Sequence, residues 1–313
     1  MKKFFIKLHL WLSIPVGLII SVICFSGAAL VFEKEITRII DKEIYFVEAQ
    51  NNTQILSEQQ VREAIASSSF DTLTITSVKI PQENGKSIEI GFKEKGKSRL
   101  CINPYTAEPL GWTSTPEFFK TMRSLHRYLM DNPAKRGEKT FGKVVVGVST
   151  LIMVFVLISG IIIWVPKGIK ALKNRLTVKT RKGLKRFLYD SHVALGIYAA
   201  LFLLIMALTG LTWSFKWYKD IAYSLIDSKS FFYILHTGSW GGFFIKILYF
   251  ISALIGGTLP LTGYYLWIKK RYLYKKITPS DCFKRPYRKI IGYGLFYYTN
   301  LLKHTMIIKM LHF

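Results

Sequence analysis

The sequence predicts a mainly α-helical membrane protein: a four-helix transmembrane bundle made from a two-helix unit used twice, with a small α+β domain inserted between the first two spans. Three observations carry this. Half of the 313 residues are hydrophobic, yet 44 Lys+Arg face only 19 Asp+Glu, for a formal charge of +25. Four stretches, residues 10–32, 144–165, 193–215 and 247–268, contain no Asp, Glu, Lys or Arg. The histidines and Ser/Thr-Gly pairs of the first half recur in the second.

Each uncharged run is 22 or 23 residues long, enough for a helix to cross the about 30 Å of bilayer hydrocarbon. Lipid offers the backbone no hydrogen-bond partners, so each run has to be a helix. Trp11, Trp164, Trp213 and Trp267 stand at run ends, the headgroup level that amphipathic rings favour. The amino-terminal start, the second connection and the tail together hold 23 Lys/Arg against two acids. That asymmetry places both termini in the cytoplasm and makes the excess charge a feature of the face next to anionic lipid, with no nucleic-acid partner needed. The first run also shares the basic start and small Ser26-Gly27-Ala28 of a secretory signal, but exceeds the usual length of a signal core. The expected segments are residues 1–32 (first span), 33–143 (extracytoplasmic domain), 144–165 (second span), 166–192 (basic loop), 193–215 (third span), 216–246 (outer loop), 247–268 (fourth span) and 269–313 (basic tail).

The spans repeat. His9 precedes Gly27 by 18 residues and His192 precedes Gly210 by the same number; Ser159-Gly160 and Thr262-Gly263 each lead, after three residues, to a tryptophan. Leu125-His126 and Leu235-His236 each lie ahead of the second span of their half. Eighteen helical residues rise about 27 Å, so His9 and His192 fall at one face level with Gly160 and Gly263, and His126 and His236 at the other, level with Gly27 and Gly210. Two imidazoles per face, beside residues without bulk, suit a bis-histidine haem wedged between helices, the glycines giving clearance for the macrocycle. The expected cofactor is non-covalent haem b, two groups, since the three cysteines form no C-x-x-C-H attachment. Read one at a time, the Ser/Thr-Gly pairs are ordinary helix-contact points and each histidine an interfacial polar residue. Zinc would want sulfur or carboxylate donors beside the imidazoles, and no motif for nucleophilic hydrolysis is present. His304 and His312 belong to no pattern.

Within the insertion, Ser57-Glu58-Gln59-Gln60 is a capping box opening a helix to about residue 67. Strands are expected at 73–80, 87–92 and 99–102, with Ile88, Ile90 and Phe92 inward, a tight turn at Asn84-Gly85 and a stop at Asn103-Pro104-Tyr105. Residues 116–131 read as an amphipathic helix, with Phe118, Phe119, Met122, Leu125 and Leu129 on one face, presenting His126 to the bundle. Residues 230–235 read as its counterpart before His236, and Gly238-Ser239-Trp240-Gly241-Gly242 as the turn into the last span. The aromatic and basic stretch 290–302 is too short to span and is expected at the interface. Trp112, Tyr128 and Trp240 are either substrate contacts or interfacial anchors.

These residues resemble the PepSY-associated transmembrane family of bacterial inner-membrane proteins. The likeness rests on His9-Leu10-Trp11, Asn103-Pro104-Tyr105-Thr106 followed by Pro109-Leu110-Gly111, and Leu125-His126-Arg127-Tyr128-Leu129. It continues through Ser159-Gly160 to Trp164-Val165-Pro166, Leu235-His236-Thr237-Gly238, and Leu261-Thr262-Gly263 to Trp267. It covers about residues 5–275; the tail from residue 277 shows no matching motif. The family includes siderophore-iron reductases with haem between four helices and a periplasmic PepSY-type module. The resemblance implies His9 with His192 and His126 with His236 as axial ligands of haem iron. It also implies outward electron flow from a cytoplasmic or quinol donor to ferric siderophore or another periplasmic acceptor, releasing Fe(II). No catalytic acid or base is expected. The alternative is a non-enzymatic membrane-anchored PepSY module that binds a peptide or regulates a protease. A third reading is an accessory subunit of an uptake system, whose histidines serve only assembly.

Overall fold

The computed structural model describes residues 1–50, 53–135 and 137–276. Met1–Gly263 form one compact unit, and the described residues from Tyr264 to Lys276 belong to a second. The fold is mainly helical, with four helices long and apolar enough to cross a membrane and one four-stranded antiparallel sheet among the described residues.

The first long helix, α1 (Lys2–Val31), outruns its uncharged core by taking in Lys2, Lys3 and Lys7. Two short helices continue the chain, α2 (Glu33–Ile40) and α3 (Lys42–Tyr45), which the polar sequence after residue 32 did not predict. The sheet module follows. Its helix α4 (Glu58–Ala66) starts on the expected capping box: the Gln60 amide donates to Ser57 Oγ at 3.3 Å and the Ser57 amide to Gln60 Oε1 at 2.9 Å, satisfying two of the end amides.

Strands β1 (Ile75–Lys79), β2 (Ile88–Phe92), β3 (Arg99–Ile102) and β4 (Pro109–Trp112) form an antiparallel meander in that order. The first three agree with the sequence reading; β4 was not foreseen. Asn103-Pro104-Tyr105 turns the chain rather than ending the sheet: the Asn103 amide donates to Glu108 O at 2.8 Å, and Ala107 takes φ +63° to close the loop. The Asn84-Gly85 expectation also needs correction. Eight residues separate β1 from β2, so the connection is no tight turn. Gly85, at φ +78°, instead accepts from the Val47 amide at 2.9 Å and donates to Tyr105 Oη at 3.2 Å.

One face of the sheet is the module's core. Ile88, Ile90, Phe92, Leu100 and Ile102 pack under Val61 and Ile65 of α4, all nearly free of solvent contact. Trp112, a candidate substrate contact, belongs to this packing: its ring lies 5.7 Å from Phe92 and 6.0 Å from Phe70.

From the module the chain enters α5 (Glu117–Tyr128), which carries His126. Phe119 is buried on its apolar face, while Phe118, expected there too, is exposed, because neighbouring residues on a helix point about 100° apart. Then come α6 (Phe141–Trp164), the short α7 (Ile169–Leu176) and α8 (Leu184–Ser214). The chain closes with α9 (Lys216–Leu225), α10 (Lys229–Thr237), one 3-10 turn over Ser239–Gly241, and α11 (Gly242–Lys276). Within 216–246 two helices stand: α10 takes in the segment expected at 230–235, and α9 was not foreseen. The long helices extend past the uncharged runs because Lys143, Lys185, Arg186, Asp190 and Lys246 lie near their ends, where long polar side chains reach water or a partner. Asp190, buried, accepts from Arg186 at 2.9 Å. In the second unit, Arg271 lies 4.7 Å from the Trp267 ring centre. The expected interfacial stretch 290–302, His304 and His312 lie outside the described residues.

Only about a third of each spanning window is covered by protein, from 28% to 39%. Trp11, Leu18, Phe155, Tyr198, Leu201 and Ile251 point outward, an apolar belt that water would not tolerate and lipid solvates. Inside, Val16, Ile20, Cys24, Met153, Ala199 and Leu203 close the bundle.

Replacing Ile90, with no exposed surface, by Ala should cost the module about 2–5 kcal/mol through the cavity it leaves. Hydrogen exchange of the β2 and β3 amides in the full chain should quicken, while amides of the spans keep their protection.

Candidate metal centre

Each of the four patterned histidines sits in a niche of the same design. A helical glycine opens a gap in a neighbouring helix, and the imidazole fills it. A Cβ added to Gly27 would meet His126 Cε1 at 2.8 Å; at Gly210 it would meet His236 Cε1 at 3.2 Å, at Gly160 His9 Cε1 at 3.4 Å, and at Gly263 His192 Cε1 at 3.6 Å. The sequence assigned these glycines to clearance for a macrocycle. In the structure an imidazole lies against each of them, because the ring approaches within hydrogen-bond reach of the glycine's own helix.

That bond is the second half of the design. His126 Nδ1 meets the Ile23 carbonyl at 2.8 Å, His236 Nδ1 the Met206 carbonyl at 2.9 Å, and His9 Nδ1 the Val156 carbonyl at 3.0 Å. Each carbonyl lies four residues before its glycine. The hydroxyl just before the glycine joins in three niches: Ser159 Oγ at 3.1 Å from His9, Thr209 Oγ1 at 3.1 Å from His236 and Thr262 Oγ1 at 2.8 Å from His192. These hydroxyls spend their own protons on helix carbonyls, Ser159 on Val156, Thr209 on Ile205 and Thr262 on Leu259. Their oxygens are therefore acceptors for the ring. In the fourth niche Ser26 does not reach His126; its hydroxyl donates to Val22 and Ile23 instead. The sequence showed the Ser/Thr-Gly pairs without revealing this role, because the bond joins residues more than a hundred positions apart in the first half.

A carbonyl oxygen can only accept, so Nδ1 carries the proton and Nε2 is the free ring nitrogen. Burial lowers the pKa of His126, with Arg127 adding to the effect and the Ile23 bond opposing it. Burial, then the neighbouring His126, push His236 down to about 4. Both rings are neutral at ordinary pH, with a bare lone pair on Nε2. This is the state a metal ligand needs, with a carbonyl holding the opposite N–H as such ligands characteristically have.

His126 and His236 lie close together. The His126 and His236 ring centres are 6.2 Å apart, with planes at 52°. Two metal–nitrogen bonds of about 2 Å each plus two ring radii come to roughly 6 Å, close to this separation. His9 lies within electrostatic range of His192. Among the described residues no group of three or more His, Cys, Asp or Glu gathers as a metal cage. A pair of nitrogens suits a planar group that brings its own equatorial donors; haem is such a group.

Local structure explains the placement. His126 is two residues from the end of α5, where Leu129 and Met130 turn left-handed and Asp131 receives the Gly142 amide at 2.8 Å, tying α5 to the start of α6. Arg123, on the same helix, grips both Glu33 carboxylate oxygens of α2. His236 precedes the left-handed Gly238, whose bare Cα lies against the fully buried Tyr249; a Cβ there would meet the ring at 2.8 Å. Trp213, expected only as an interfacial anchor, packs edge-on to His236 at 5.1 Å. Tyr128 sits under Arg127, and Trp240 is half exposed with Nε1 3.5 Å from Tyr249 Oη.

Four spanning helices with a small sheet module define a multi-pass membrane protein. The family model of the PepSY-associated TM region matches residues 6–230 and 227–270, and the chain belongs to that family. No curated protein matches it.

Gly27→Val should drive the His126 ring from its niche at a cost of about 1–3 kcal/mol from overpacking. With 15N-labelled histidine, one protonated Nδ1 resonance should shift in the variant while the others stay.

Proposed function

We propose that the chain is a bacterial inner-membrane electron carrier holding two haem b groups between its halves and reducing a periplasmic ferric siderophore or similar acceptor, with release of Fe(II). The closeness of His126 and His236, each with Nδ1 committed to a carbonyl and Nε2 left as donor, carries this reading. His9, His192, His126 and His236 are the residues that would hold haem, which would supply a one-electron couple. The protein's own work is to hold the rings. His126 and His236 would ligate at the end of the bundle nearest the sheet module, His9 and His192 at the other. Gly27, Gly210, Gly160 and Gly263 admit the imidazoles, and the carbonyls behind them fix the tautomer.

The charge asymmetry supports cytoplasmic termini, a cytoplasmic 166–192 loop and a periplasmic module at 33–143. The matching niches of the two halves support a two-helix unit used twice in one orientation. Electrons would enter from a cytoplasmic or quinol donor at the His9 and His192 end. Transfer to a bound ferric chelate needs no proton-moving side chain, and none is assigned.

The test is an absorption spectrum of detergent-solubilised protein, oxidised and then reduced with dithionite. The expected result is a six-coordinate b-type spectrum with sharp reduced bands, and loss of one of two haems in His126→Ala. Colourless protein, from cells supplied with haem, would overturn the redox assignment and leave the membrane-anchored PepSY module.

A further inference from the structure

Where α6 and α9 begin, at the module end of the bundle, the protein surface holds a cleft of about 460 Å³. That is the size range of small-molecule sites, about 300–1,000 Å³. Its charge converges from two separate stretches of chain: Lys139 and Lys143 lead into α6, and Lys216 opens α9. Asp220 is the one acid among the residues lining it. Arg127, on the helix of His126, lies within electrostatic range of Lys143, extending the positive field toward the histidine pair. Among the described residues, none of the three lysines is held in an ion pair.

The apolar part of the cleft is as defined as the charged part. Phe215 and Trp217 stand 6.0 Å apart with planes only 31° from parallel, and Trp217 is 55% exposed. Interfacial lysines and tryptophans as anchors reach outward to headgroups all round a bundle. Here they turn into one concavity, where like charges raise the local potential instead of dispersing it. Two residues before Phe215 is Trp213, which touches His236.

We propose that this cleft binds a soluble anionic ligand with a flat or apolar body. Its carboxylates or phosphates meet Lys139, Lys143 and Lys216, and its body lies along Phe215 and Trp217. Binding needs no redox chemistry; only the further statement that the ligand is the electron acceptor, an anionic ferric chelate, rests on the proposed function. In that case Trp213 bridges the cleft and the His126–His236 pair.

The experiment is equilibrium binding of Fe(III)-EDTA, an anionic paramagnetic chelate, to the full chain in nanodiscs of neutral lipid, followed by tryptophan quenching with Trp217→Phe as blank. Saturable quenching is expected, weakened about tenfold or more in Lys139→Gln/Lys216→Gln, as losing two charge contacts worth together about 1.4 kcal/mol or more would do. Lys139→Arg/Lys216→Arg should keep it, and added salt should weaken it. Quenching linear in concentration, an unchanged midpoint in the glutamine variant, or equal binding of hexaamminecobalt(III) would overturn the proposal. Loss of chelate binding in nanodiscs containing phosphatidylglycerol would give the cleft to a lipid headgroup and overturn it as well. Because no electron transfer is read, the result stands whether or not the haem assignment does.

Discussion

The hydrogen bond from an imidazole Nδ1 to the carbonyl four residues ahead of a glycine is the constraint that organises this molecule. It decides the tautomer and brings the neighbouring helix close, closest at Gly27 and Gly210, where an added Cβ would press on the imidazole. Helix packing in lipid has little hydrophobic drive, since acyl chains are as apolar as leucine. Small-residue contacts and buried polar bonds therefore carry an unusual share of the specificity. The niches combine the two: the glycine gives proximity, and the Ser/Thr before it bonds the imidazole in three of the four cases, at Ser159, Thr209 and Thr262.

The structures around the niches serve the same end by different means. At the module end the histidines are not on spanning helices at all but on α5 and α10, short helices that must be anchored independently. α5 is gripped by Glu33 through Arg123 and tied to the start of α6 by the Gly142 amide on Asp131; α10 is stopped by Gly238 against Tyr249. A second ion pair, Lys246 with Glu35 at 2.5 Å, ties α2 to the start of α11. Burial opposes ionisation of Glu35, but Lys246 outweighs it and holds the carboxyl below its ordinary range. The stalk between span and sheet module is thus fastened to both halves of the bundle.

Much of this was legible in the sequence, and for identifiable reasons. Charge-free runs of 22 and 23 residues give spans because hydrocarbon excludes charge, and the capping box at Ser57 reads directly as a helix start because its partners are three residues apart. The histidine and glycine levels were also legible, since helix rise is uniform. What failed depends on distant contacts. β4 contains Pro109 and Gly111, poor strand formers that pair because β3 offers an edge. Gly85 serves a contact with Val47, not a turn. The contact of each glycine with an imidazole was not legible, because level alone does not say which side chain lies against it. Trp213 beside His236 follows from the return of α10 against α8, which no local pattern records.

Every niche is completed within one half of the chain: His9 and His126 with Gly160 and Gly27, His192 and His236 with Gly263 and Gly210. The 19 residues from Val165 to Gly183 that join α6 to α8 contribute nothing to any of them. That segment is a tether. Severed there, the chain would keep each imidazole beside its own glycine, and a pair of fragments expressed together would lack only the covalent leash between them.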